Sequence, residues 1–121
     1  MNAKGELGRR GENLAADYLQ LRGLYLMERN WRSGHLEIDL VMDNSWSVRI
    51  VEVKTLQVGD GFDPSENVTA DKRRKLIRAA RAFYAQHPTP KEIKFDVVTV
   101  LLDSGGPVEI NYLPDAFDAL G

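Results

Sequence analysis

Hydrophobic positions recur along this chain with two different periods, and the change from one to the other divides it into elements. Between Glu6 and Arg22, Leu7, Leu14, Ala15, Tyr18 and Leu19 return at helical spacing, and Gly23 stands where such a helix would stop. Leu24 to Met27 is a short apolar run that predicts an edge strand, and Asn30 to Gly34 reads as a polar loop. From Leu36 to Met42 the period is two. Leu36, Ile38, Leu40 and Met42 fall on one face, and Glu37, Asp39 and Val41 on the other. Asp43, Asn44 and Ser45 supply a turn. Trp46 to Thr55, rich in β-branched residues, then predicts the second strand of an antiparallel hairpin. Its apolar residues Val48, Ile50, Val51 and Val53 occupy both faces, as in a central strand covered on both sides.

Residues 57–67 are rich in Gly, Asp, Pro, Ser and Asn and predict a loop. Thr69 or Asp71 is placed to cap a helix reaching Gln86, with Leu76, Ile77, Ala80, Phe83 and Tyr84 as its buried stripe and His87 to Pro90 ending it. Ile93 to Leu102 predicts a long strand, Ser104 to Pro107 a turn, and Val108 to Tyr112 a last strand. This order predicts an α/β fold, a mixed β-sheet flanked by helices. With 121 residues, the chain has enough surface to bury for one core and too little for two, so a single domain over 1–121 is expected.

Composition narrows the chemistry. The chain has no cysteine, which excludes disulfide scaffolds, thiol nucleophiles and thiolate zinc sites. His35 and His87 lie far apart, so carboxylates and lysines must carry any reaction. The start MNAKGELGRRGEN has no apolar core of signal-peptide length, and no run approaches the roughly 20 apolar residues of a membrane span. A cytoplasmic protein with no membrane partner is expected. Sixteen Lys and Arg against eighteen Asp and Glu give a net charge of −2, which by itself argues mildly against a nucleic-acid partner. The distribution argues otherwise. Residues 95–121 carry five acids and no cation, which leaves residues 1–94 with a surplus of three positive charges. Lys72, Arg73, Arg74, Lys75, Arg78 and Arg81 fall in one stretch, which suits either phosphate contact or a solvated helix face.

The informative constellation lies in the hairpin. Glu37 and Asp39 are two apart on one strand and Glu52 and Lys54 two apart on the next, so each pair shares a face. A turn at Asp43 to Ser45 brings Asp39 opposite the stretch from Ile50 to Glu52, where the two carboxylates converge. Such a pair repels unless a cation lies between, and a hard divalent ion such as Mg2+ or Mn2+ suits oxygen donors of this kind. Lys54 beside them is placed to orient an attacking water and to stabilise charge on a phosphate, so hydrolysis of a phosphodiester is the natural reaction. Glu-x-Lys alone carries little, because this composition yields it about 0.4 times by chance, and Glu92-Ile93-Lys94 is a second copy. The apolar setting IVEVK distinguishes Glu52 and Lys54, since charges in a buried strand are costly unless paired or coordinated. The alternative is an internal salt bridge from Lys54 to Glu52 or Asp39. Glu12 adds a third acid at the border of the first helix's apolar stripe, where it reaches the hairpin edge or stays exposed near the helix start. Gly8 and Gly11 allow close approach to that helix.

Gly8-x-x-Gly11-Glu12-x-x-Ala15, Glu37-Ile38-Asp39-Leu40, Val51-Glu52-Val53-Lys54-Thr55, Phe95-Asp96-Val97-Val98 and Ala116-Phe117 together resemble the YraN-like family of bacterial proteins. The resemblance runs over nearly the whole chain. That family is related to archaeal Holliday-junction resolvases and has the restriction-endonuclease-like fold with the PD-(D/E)xK nuclease core. The resemblance implies Asp39, Glu52 and Lys54 as the core triad, with Asp39 and Glu52 as metal ligands and Glu12 in the place of the resolvases' extra helix acid. It implies a Mg2+- or Mn2+-dependent endonuclease acting on DNA, including branched DNA, and the basic run then offers Lys72, Arg73, Arg74 and Lys75 as its nucleic-acid contacts. A non-catalytic nucleic-acid-binding module of the same fold is the alternative, and a homodimer is compatible with either. Leu36 and Leu56 stand where the family often has Gly and Arg, which removes one arginine contact to phosphate.

Overall fold

A computed structural model describes residues 5–59 and 68–120, apart from the side chain of Val108. The chain runs α1 (Glu6–Leu21), β1 (Tyr25–Ser33), β2 (Leu36–Asp43), β3 (Ser47–Gln57), α2 (Ala70–Gln86), β4 (Glu92–Asp103) and β5 (Gly106–Phe117). The five strands form one sheet in sequence order. β1–β2, β2–β3 and β4–β5 are antiparallel, whereas β3 and β4 are parallel, joined by a crossover that contains α2. The sheet is therefore mixed and the fold α/β, as the element order predicts.

The two helices cover opposite faces, because β3 divides its apolar side chains between them. Val48 and Ile50 pack with Leu76, Ile77, Ala80 and Phe83 of α2. Val51 and Val53 pack with Ala15, Ala16 and Leu19 of α1, and with Val98, Val100 and Leu102 of β4. Small residues on the inner side of α1 bring it close to the sheet, most of all at Gly11, whose missing Cβ would lie 1.8 Å from Thr55 Oγ1. Gly23, with φ of 91°, ends the turn after α1 at the position expected of it. Thr69, rather than Asp71, caps α2: its hydroxyl accepts from Lys72 N–H at 3.2 Å.

Several expectations are corrected. Asn30–Ser33 belongs to β1 rather than to a loop, because Trp31 packs edge-on against Phe83 with centroids 5.3 Å apart and anchors the strand to α2. β5 extends to Phe117, which stacks on Phe95 at 4.9 Å. Tyr84 is exposed rather than part of the buried stripe of α2, and Trp46 lies outside β3. The loop expected at 57–67 begins later, since Gln57 ends β3, and its residues 60–67 lie outside the described residues.

The most consequential correction concerns β2. Strict alternation puts Ile38 and Leu40 on one face, yet Ile38 packs on the α2 side and Leu40 on the α1 side. The pairing register is continuous from Arg29↔Leu40 to Trp31↔Ile38, and Asn30 between Arg29 and Trp31 adopts a φ of 50°. Asp39 is the residue at which the alternation breaks.

Candidate functional site

The β2–β3 ladder runs from Asp43↔Val48 to Leu40↔Val51, and Asp39 and Glu52 each stand one residue beyond its last pair. There the Asp39 carboxylate accepts the backbone N–H of Val53 through Oδ2 at 2.8 Å. The hydrogen bond fixes the orientation of the carboxylate. Asp39 is 4% exposed and Glu52 9% exposed. Both line a cavity of about 350 Å³ together with His35, Leu36, Glu37, Val53, Lys72, Lys75 and Leu76. Glu37 at its rim pairs with Arg32 at 2.8 Å.

Lys54 follows Glu52 on the same face and lines an adjoining cavity of about 280 Å³ with Glu52, Val68, Thr69 and Lys72. Glu52 and Lys72 form the shared wall. The ion pair they make, Lys72 Nζ to Glu52 Oε2 at 3.3 Å, joins α2 to β3. Sequence reasoning offers a salt bridge from Lys54 to Glu52 or Asp39 only as the alternative and takes Lys72 as a nucleic-acid contact; the Lys72–Glu52 pair joins residues 20 apart through tertiary packing of α2, which no local pattern shows. The cap at Thr69 sets the phase of α2, and Lys72 is the residue whose N–H that cap accepts.

Glu12 is buried, at 2% exposure, where α1 lies on β3. It adjoins Gly11, which sits over Thr55, one residue beyond Lys54. The exposed early-helix position is thereby corrected. Glu12 belongs to the α1 face of the sheet, while Glu52 and Lys54 belong to the α2 face. The four cations at the start of α2 separate in the same way. Lys72 and Lys75 face the carboxylates, and Lys75 also reaches Asp71 at 3.3 Å. Arg74 lines a different cavity with Ile77, Arg78 and Arg81. Arg73 falls on the inner stripe, three and four residues before the buried Leu76 and Ile77, and its Nε is shielded from solvent. Helical geometry turns one basic run into three surfaces.

The chemistry of the Asp39–Glu52 pair suits a hard divalent cation, because both donors are carboxylate oxygens held at one wall. Among the described residues no three His, Cys, Asp or Glu side chains converge. An ion bound here would complete its shell with water and ligand oxygens, the habit of magnesium and not of a zinc cage.

The fourth buried acid among the described residues, Asp96, serves a different purpose. It accepts Arg49 Nη1 at 3.0 Å, the Tyr112 hydroxyl at 2.6 Å and the backbone N–H of Asp115 at 2.9 Å. Arg49 also reaches Asp115 at 2.6 Å. Burial works to lower the pKa of Arg49, yet Asp96 and Asp115 outweigh it and hold the guanidinium above its ordinary value. Burial, reinforced by the bond to Asp96, raises the pKa of the Tyr112 phenol well above its ordinary value. Every group here is matched, so Asp96 ties β3, β4 and β5 together.

Fold and site define a class: an α/β protein with one five-stranded mixed sheet, a helix on each face, and a buried carboxylate pair flanked by lysines. Within that class the assignment is specific. Residues 11–100 match the group described as "Uncharacterised protein family UPF0102", and the chain belongs to that family, the YraN-like group its motifs resemble. It is similar to a UPF0102 protein of Bacteroides thetaiotaomicron, 36% identical over 97% of this chain and 96% of the relative. A UPF0102 protein of Chloroherpeton thalassium is 37% identical over 99% of both chains, and one of Nocardia farcinica is 40% identical over 94% and 91%. Among the described residues no helix is long and apolar enough to cross a membrane.

Proposed function

We propose that this chain is a divalent-metal-dependent nuclease that hydrolyses phosphodiester bonds of DNA, with branched or junction DNA as its substrate form. The observation that supports this most directly is the pair of nearly buried carboxylates, Asp39 and Glu52, on one cavity with lysines at its rim. Clustered charges of this kind, costly to bury, mark sites of chemistry. The resemblance to the PD-(D/E)xK core, with its restriction-endonuclease-like frame, supplies the reaction.

Asp39 and Glu52 would hold Mg2+ or Mn2+, and a bound ion supplies Lewis acidity and a more acidic water. Asp39 is oriented for this by the Val53 N–H. Lys54 orients the attacking water and stabilises the charge that develops on the phosphate. Glu12, in the place of the resolvases' extra helix acid, is buried on the α1 face of the sheet, behind β3 from the cavity that Asp39 and Glu52 line. Lys72, Arg73, Arg74 and Lys75 attract the nucleic acid, with Lys72 and Lys75 nearest the scissile bond.

Purified protein incubated with Mg2+ or Mn2+ should cleave at least one of branched, flapped, single-stranded or duplex DNA. Asp39→Ala and Glu52→Ala should each lower the rate by about a hundredfold or more, as losses of positioned charge do. Metal-independent products, or none from any of these substrates, would remove the enzyme reading. The Lys72–Glu52 ion pair favours a second reading, a non-catalytic binding module, because an ammonium already neutralises one of the acids. That reading expects salt-sensitive binding that both alanine substitutions leave unchanged.

A further inference from the structure

The Lys72–Glu52 contact raises a question that the cleavage chemistry leaves open: what neutralises the carboxylates before a metal arrives? Asp39 and Glu52 are both nearly buried and share one wall, so their mutual repulsion is poorly screened by water. Lys72 Nζ lies 3.3 Å from Glu52 Oε2, and its side chain lines both cavities that meet at Glu52. The two partners differ in exposure. The Lys72 side chain is 49% exposed, whereas that of Glu52 is 12% exposed. A lysine so placed has a four-carbon stem that can swing its ammonium into solvent or along the cavity rim, while Glu52 stays held in β3. Lys75, one turn further along α2, lines the same cavity but pairs with Asp71 on its own helix.

The geometry points to Lys72 as a resident counter-ion: it neutralises the Asp39–Glu52 pair in the metal-free protein, and it must leave Glu52 when a divalent cation binds. Displaced, its ammonium faces the same cavity and becomes a ligand for the phosphate that the site receives. Lys72 is thus a positioning residue that links metal binding to substrate binding, and this role rests on the proposed metal site. Its consequence is opposite to that of an ordinary site lysine. Removing it makes the metal bind more tightly, because the ion no longer competes with an intramolecular cation and no longer meets its charge.

The test is the affinity of the full chain for Mn2+, measured by titration calorimetry without nucleic acid, in wild type, Lys72→Met, Lys72→Arg and Arg78→Met, whose residue lines a different cavity. Lys72→Met should bind Mn2+ roughly fivefold more tightly, equivalent to about 1 kcal/mol, and should melt at a lower temperature than wild type when metal-free. Lys72→Arg should restore wild-type affinity and stability, and Arg78→Met should leave both near wild type. The exposure of Lys72 should leave these variants folded, and their circular dichroism spectra check this. Equal or weaker Mn2+ binding by Lys72→Met overturns the counter-ion role while leaving the metal site standing. Absence of Mn2+ binding from wild type and Lys72→Met alike overturns both the metal site and this role.

Discussion

Gly11 marks the closest approach of α1 to the sheet, and no other residue could occupy its position without moving something. A Cβ there would lie 1.8 Å from Thr55 Oγ1, 2.6 Å from Cγ2 and 2.7 Å from Cβ. Gly11→Ala should therefore destabilise the fold by about 2 kcal/mol through overpacking, despite the better helix propensity of alanine. Thr55→Ala should rescue it only in part, since the Thr55 Cβ remains in the way, and urea denaturation of the two single variants and the double variant checks this. Full rescue, or a stabilised Gly11→Ala, would contradict the packing. At this scale the sequence reveals identities better than neighbours. A glycine beside Glu12 is legible as room for something, but not that a threonine next to Lys54 fills it. Asp39 and Glu52 stand out as charges within apolar strands. The break in alternation at Asp39 was invisible, because it depends on Trp31 and Ile38 both finding the α2 layer.

The elements are held together at β3, β4 and β5 by the carboxylate of Asp96, which takes three donors on β3 and β5. Asp96→Ala would leave Arg49 and the Tyr112 hydroxyl partly buried without this acceptor, a loss of about 3 kcal/mol. The phenol carries a pH signature. Burial and the bond to Asp96 keep its proton in the folded chain beyond pH 10.0, its ordinary pKa and that of the unfolded chain. Between those two pKa values the unfolded state binds fewer protons, so the contribution is intact below pH 10.0 and declines as pH rises above it. Urea midpoints from pH 8 to 11 should show this decline in wild type, and Tyr112→Phe should flatten it while losing about 1 kcal/mol at neutral pH. An unchanged slope in the variant would separate Tyr112 from the alkaline loss. Periodicity made most of the elements legible: α1, α2, the hairpin and β4 follow from it with small shifts at their ends. It failed for Asn30–Ser33 and for the far end of β5, where residues form strand because partners on other elements hold them, Phe83 of α2 against Trp31 and Asp96 of β4 on Asp115. Such pairing is non-local, so no window along the chain contains it.

For the molecule as a whole, net charge is a poor guide to what approaches it. The total is −2, yet the acids after residue 95 lie in β4, β5 and the residues that follow, and two of them, Asp96 and Asp115, are engaged by Arg49. The cations of α2 project from the opposite face of the sheet to α1. An incoming polyanion therefore meets a local positive field despite the negative total, and its attraction should fall steeply with salt through counter-ion release. The division of that field into separate surfaces is what a measurement can resolve. Lys75 lines the cavity that holds Asp39 and Glu52, whereas Arg74 points to the cavity shared with Arg78 and Arg81. A phosphate seated at the carboxylates touches the first and not the second. With metal withheld to prevent cleavage, binding of a duplex DNA probe measured across a salt series should lose about 0.9 from its logarithmic slope in Lys75→Ala. Arg74→Ala should leave the slope within error of wild type. The reverse result would place the nucleic acid over Arg74, Arg78 and Arg81, away from the carboxylates, and would separate the binding surface of this protein from the site proposed for its chemistry.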